Sequence, residues 1–249
     1  MIIDAHTHLF NNYLTQQGLP VATFVEGLAQ AGIDKAIIMT VEGFTSPVAP
    51  ANDALAAAAR DYPGTLYAAC TVHPRQGEAA IGEMERCARE LGMVALKLHP
   101  WLQAFSVTDP EVLSLLKAAA GLGWPVILHD GTPPYSTPLQ IAYVARQVPE
   151  ATIILGHGGL SDFPSEALAA ARRCANIVIC PCGVPLIWMR EFVRVLGAER
   201  LVFGSDYPFG GEASVYYYLD KMRKLGLSSA ESEMVFAGNL CRLIPALQK

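Results

Sequence analysis

Two hydrophobic periods alternate along the chain. Short runs rich in aliphatic and β-branched residues, at Ile2 to Ala5, Lys35 to Thr40, Thr65 to Thr71, Met93 to Leu98, Pro125 to Leu128, Thr152 to Leu155, Asn176 to Ile179 and Arg200 to Phe203, predict eight buried strands. Ala- and Leu-rich segments with helical spacing separate them: Thr23 to Ala31, Asn52 to Asp61, Ala79 to Leu91, Asp109 to Ala120, Pro138 to Gln147, Ser161 to Cys174, Leu186 to Leu196 and Ala213 to Leu225. A last helix is expected over Ser228 to Ala237, followed by Asn239 to Leu247. Boundary residues agree. Asp109-Pro110 reads as an N-cap followed by proline at the first helical position, Ser161 to Pro164 as a helix start, Ser228 and Ser229 as caps, and Gly32, Gly92, Gly121 and Gly197 as helix exits.

A strand and a helix repeated eight times, in units of about thirty residues, predict an α/β fold: a closed (β/α)8 TIM barrel forming a single domain over residues 1–249. The competing arrangement is a doubly wound open sheet. It loses its main support because no Gly-x-Gly-x-x-Gly follows the first strand. Composition fits the barrel: 52% hydrophobic and 16% charged residues suit parallel strands covered by helices on both faces. A net charge of −5 without a basic cluster argues against nucleic acid as a partner. Neither a membrane-length apolar run nor a signal-like start is present, so a soluble, cytoplasmic protein is expected. The six cysteines are scattered and read as buried thiols in a reducing compartment; Cys180-Pro-Cys182 lacks the second pair a zinc site would need.

The chemistry begins at the N-terminus. In Asp4-Ala5-His6-Thr7-His8 the two histidines are two residues apart on a strand, so both imidazoles point the same way, as half a coordination shell would require. Polar residues at a strand end are the plain alternative. The remaining histidines decide the matter as a set: His73 follows strand 3, His99 ends strand 4 beside Lys97, His129 ends strand 5 and His157 ends strand 6, while Asp206 follows strand 8. All six histidines therefore fall at the rim where a barrel does its chemistry.

The segments Asp4-Ala-His-Thr-His8, Ile127-Leu-His129-Asp, Leu155-Gly-His157-Gly-Gly159 and Phe203-Gly-Ser-Asp206-Tyr-Pro208 resemble the amidohydrolase superfamily, most of all the branch that holds small hydrolases and decarboxylases of aromatic and muconate-type acids. The resemblance implies that His6, His8, His129 and Asp206 bind one divalent metal, zinc most often, with Asp206 as general base and His157 beside the ion. Lys97 has three readings: a carbamate bridging two metals, a partner for a substrate carboxylate, or an ion pair with an acid such as Asp4. Asp4, of the same parity as His6, is expected to orient an imidazole. His99 and His73 are expected to hold loops. Trp101, Tyr135, Trp188, Tyr207 and Phe209 are candidates for the wall of a pocket taking a small planar substrate.

Two activities follow from the resemblance. The first is hydrolysis of an ester, lactone or amide by water activated at Asp206; the second is non-oxidative decarboxylation, or hydration, on the same residues. Decarboxylating relatives usually carry insertions and form homodimers, so the compactness of this chain favours hydrolysis and leaves a homodimer open. A barrel without catalysis that stores metal is the third reading, opposed by the intact His6, His8, His129 and Asp206.

Overall fold

The computed structural model describes residues 1–14, 16–211 and 213–248. Seven parallel strands follow one another in order around a single sheet: β1 (Ile3–Leu9), β2 (Lys35–Thr40), β3 (Leu66–Cys70), β4 (Ala95–Leu98), β5 (Val126–Leu128), β6 (Ile153–Leu155) and β7 (Ile177–Ile179). Each is followed by its helix: α1 (Val21–Ala31), α2 (Val48–Asp61), α3 (Glu78–Arg89), α4 (Pro110–Gly121), α5 (Pro138–Gln147), α6 (Pro164–Arg173) and α7 (Leu186–Leu196), with α8 (Ala213–Arg223) after the closing segment. The fold is the predicted (β/α)8 barrel.

Alternation along the strands sorts the core into two layers. Ala36, Ile38, Leu96, Leu98, Val126, Leu128, Ile153 and Leu155 face the helices, whereas Ile37, Met39, Ala69, Ala95, Ile127, Ile154 and Val178 fill the barrel. Burial of both faces is why these strands read as unbroken apolar runs.

The expected eighth strand, Arg200 to Phe203, is not a regular strand. It joins its neighbours by isolated parallel bridges, Ile179 with Leu201 and Thr7 with Tyr207. Closure still occurs: the Val202 amide donates to Ile179, Ala5 to Phe203, Asp206 to His6 and His8 to Tyr207. On its other side β1 slips in register against β2 between Asp4 and Thr7, and in the closing segment Asp206 has a left-handed φ of 59°. Asp4 does not keep the parity of His6: it lies between Ile3 and Ala5, which fill the barrel, and the slip comes after it, before Thr7.

The chain ends beneath the barrel. Ser228 caps α9 (Ser229–Glu233) in a reciprocal capping box with Glu231, a π-turn spans Met234–Gly238, and α10 (Asn239–Leu243) follows. The single helix expected over Ser228 to Ala237 is thus split by the wider turn. Ala237, Leu240, Ile244 and Leu247 pack against the barrel-filling residues, and the Asn239 amide donates to the Ala198 and Leu201 carbonyls at 2.8 and 2.7 Å. Asp109 stands before α4 as expected, yet its carboxylate accepts from the Ser106 amide of the preceding loop and not from the helix.

Candidate active site

The mouth at the strand C-termini holds the polar core of the molecule. His6 lies within the register slip of β1 and His8 just beyond it, and their Nε2 atoms lie 3.5 and 3.3 Å from the same oxygen, Oδ1 of Asp206. These three donor groups are within 4.8 Å of one another. Lys97, fully buried on β4, donates from Nζ to His6 Nε2 at 3.1 Å. It lies beneath His6 and outside the cavity lining, and its partner is His6 where an ion pair with Asp4 was one expectation.

His157 packs between His6 and His129, with ring centroids 4.7 and 4.4 Å away. His129 stands on the same rim, stacked on His99 at 3.8 Å, but outside the trio of donor atoms. His99 accepts from the Leu102 amide at 3.4 Å, and His73 accepts from the Arg75 amide while its other nitrogen donates to the Gln103 carbonyl at 2.8 Å. Both hold loops, as expected.

Burial sets the protonation of the site. It pushes His6, His99 and His129 well below the ordinary imidazole value, helped by neighbouring positive groups, and takes His157 down to about 4. His8 is lowered by burial against the opposing hydrogen bond it donates to Asp206. Lys97 falls to about 8 for the same reason of burial. Burial would raise Asp206, but the hydrogen bond from His8 and the charges of His157, His8 and Lys97 hold it below the usual carboxylate value. Its side chain keeps 28% exposure to the cavity. Imidazoles gathered around an ionised carboxylate are the donor types a first-row divalent cation needs; here His6 Nε2 accepts from Lys97 and His8 donates to Asp206, contacts that a bound ion would replace. Nδ1 of both His6 and His8 is buried without a hydrogen-bond partner among the described residues, and the convergence of their Nε2 atoms on Asp206 fits such an ion.

Two further carboxylates brace the backbone. Asp4 orients no imidazole; it accepts from the amides of His6 and Ser205 at 3.0 and 3.1 Å and from the Ser205 hydroxyl at 2.5 Å, and burial raises it to about 7. Asp130 accepts from the amides of His157 and Gly159 at 2.7 and 2.5 Å and is raised by burial to about 6. Asp130 and Cys182, whose thiol contacts His157, were missed in the sequence. Position was the available signal, since Asp130 follows the end of β5 and Cys182 the end of β7.

A cavity of about 180 Å³ opens above these groups, walled by Tyr13, Phe44, Trp101 and Phe209, with His8, His99, His129, His157 and Asp206 at its base. Trp101 and Phe209 take the wall positions expected of them. Tyr207 is instead buried against Phe24, Tyr135 and Trp188 do not line the cavity, and Tyr13 and Phe44 were not anticipated. Tyr13 belongs to a short antiparallel pair, Asn12–Tyr13 with Gln16–Gln17, held by Glu42 accepting from the Asn11 and Asn12 amides and by Gln16 donating to the Pro208 carbonyl.

A cluster of imidazoles and one carboxylate at the open end of a barrel is a donor set that could hold a divalent cation. A family model described as amidohydrolase matches residues 3–245, and the chain belongs to that family. Among curated proteins it is 22% identical over 218 residues to the 2-amino-3-carboxymuconate-6-semialdehyde decarboxylase of Dictyostelium discoideum, covering 71% of this chain and 58% of that one. The chain therefore spans somewhat over half the length of this relative. A solved 5-carboxyvanillate decarboxylase from Novosphingobium aromaticivorans, complexed with manganese and 4-hydroxy-3-methoxy-5-nitrobenzoic acid, superposes with a TM-score of 0.80 at 17% identity, over 98% of this chain and 95% of that one. The 4-oxalomesaconate hydratase of Rhodopseudomonas palustris gives 0.76 at 17% identity over 100% and 97%. At such identities the structural likeness establishes the fold. All six cysteines are free and buried, and among the described residues no helix is long and apolar enough to cross a membrane.

Proposed function

We propose that the protein is a metal-dependent, non-oxidative carboxy-lyase for a planar aromatic or muconate-type carboxylic acid. The observation that carries this reading is the approach of His6 and His8 to one oxygen of Asp206 at the base of an aromatic-walled cavity. The decarboxylases among the relatives support it over hydrolysis, which would draw on the same residues. Against compactness as a mark of hydrolysis, a solved decarboxylase superposes over 95% of its own chain, whereas the curated one is covered over 58%.

His6, His8 and Asp206, with His129 as a further donor from the same rim, would hold one divalent ion; nitrogen and oxygen donors suit zinc, and the ion in one fold neighbour is manganese. When bound, the ion supplies positive charge that orients and neutralises the substrate carboxylate. Phe44, Trp101 and Phe209 offer flat apolar surface to a ring. In the reaction the bond between ring carbon and carboxylate breaks, its electron pair stays on the ring carbon, that carbon takes one proton, and carbon dioxide leaves. Asp206 is open to the cavity and brings that proton from water to the carbon. His157, neutral, accepts a hydrogen bond from a substrate hydroxyl. Lys97 holds His6 from below and adds positive charge beneath the cluster.

The test loads purified protein with zinc or manganese and assays hydroxybenzoates and muconate-type acids for carbon dioxide, and lactones and esters for acid release. Metal-dependent carbon dioxide release, abolished by chelation, is expected. Acid release from lactones without carbon dioxide would replace this function with hydrolysis.

A further inference from the structure

Cys182 sits just past β7 with its sulfur between two groups of the loop after β6. The thiol donates to the Gly156 carbonyl at 3.0 Å, and the same sulfur meets Nδ1 of His157 at 3.4 Å. A thiol has one hydrogen. With that hydrogen on the carbonyl, a contact between sulfur and Nδ1 needs its proton from the ring, because two lone pairs would otherwise face each other. The Cys180 thiol, 3.8 Å away, supplies a second donor to the Cys182 sulfur and not an acceptor for its hydrogen. The loop itself is fixed: Asp130 grips the amides of His157 and Gly159, and a Cβ on Gly158 would come within 2.9 Å of Ile179. His157 and Cys182 are both buried, and His157 still lines the cavity.

We infer that Cys182 is a positioning residue that holds the neutral His157 ring as its Nδ1–H tautomer, so that Nε2 turns a lone pair toward the cavity. The consequence rests on the proposed function: His157 then receives a proton or hydrogen bond from the substrate, and the proton delivered to carbon comes from another group. The tautomer itself does not depend on which reaction the site performs. Without the sulfur acceptor the ring loses its reason to keep the proton at Nδ1.

Long-range proton–nitrogen spectra of protein carrying ¹⁵N-histidine, metal-free and zinc-loaded, read the tautomer directly, with His157→Gln assigning the signal. Nδ1 is expected to carry the proton in the native protein and in Cys182→Ser, whose hydroxyl keeps one donor and one acceptor. In Cys182→Ala the proton moves to Nε2 or exchanges between the two nitrogens. Turnover should fall about tenfold in the alanine variant with little change in KM, and recover in the serine variant. Cys180→Ala should leave the tautomer as it is. A native His157 protonated at Nε2, or an alanine variant with the native tautomer, would overturn the inference. Should Cys182→Ala not fold, the native spectrum and that of Cys182→Ser still decide it. An Nδ1–H ring in a protein that decarboxylates nothing would remove the proposed function and leave this inference standing.

Discussion

The run of strands from β4 to β7 and the seam where residues 200–207 meet β1 are both parallel and both buried, yet different forces hold them. Along β4 to β7 the register is continuous, Leu96 to Val126 to Ile153 to Ile177, and every residue of β5, β6 and β7 is apolar. At the seam the pairing is an isolated bridge, Thr7 with Tyr207, β1 slips in register against β2 on its other side, and the Asp4 carboxylate takes the Ser205 amide and hydroxyl. Regular pairing leaves side chains in fixed alternation. The broken seam frees that alternation, letting His6, His8 and Asp206 meet. Ladder order gives the barrel its stability, and local disorder of the ladder gives it its mouth.

The largest effect expected from disturbing this contrast is on catalysis. Asp206→Asn keeps a residue that tolerates the left-handed backbone at φ 59°, so the fold should survive while the proposed decarboxylation falls by about 10²- to 10⁴-fold. Steady-state kinetics beside circular dichroism would check this, and an Asn variant with native turnover would remove Asp206 from the chemistry. Next comes the seam against the ladder. Asp4→Ala strands the amides of His6 and Ser205 and the Ser205 hydroxyl, and should cost about 3–5 kcal/mol. The volume change Ile154→Val on β6 should cost about 0.5–1.5 kcal/mol and leave activity unchanged. Urea unfolding of the two variants measures the difference, and equal losses would erase the distinction between the regions.

An effect of similar small size lies outside the ladder, where its support is electrostatic. Glu83 on α3 takes hydrogen bonds from Arg86 and Asn52, and Asn52 in turn ties to the backbone of Thr71 at the end of β3. Burial would raise the Glu83 carboxyl, but those bonds hold it below its ordinary 4.5. A depressed carboxyl stabilises the fold above its unfolded pKa and loses that contribution as pH falls through the folded value. Glu83→Gln should therefore cost on the order of 1 kcal/mol near neutrality, and the gap in Tm from the native protein should close below about pH 4. Turnover should not change. A gap independent of pH would mean the carboxylate charge contributes nothing.

Hydrophobic period determined the alternation of strands and helices, because strands buried on both faces must be apolar throughout and helices covering them must carry an apolar stripe; eight such units without a glycine fingerprint after the first strand pointed to the barrel. It also determined that His6, His8, His99, His129 and His157 sit at one end, since each follows a strand in the same sense. Only the folded chain decided how those residues divide their work. Asp4 has the spacing of a residue that would steady an imidazole, but its carboxylate goes to Ser205 in the closing segment. Cys182 reads as a spare thiol until β6 and β7 place its sulfur beside His157. Periodicity is a property of neighbours along the chain, whereas the partners of a buried polar group come from other strands and are set where the regular pattern breaks.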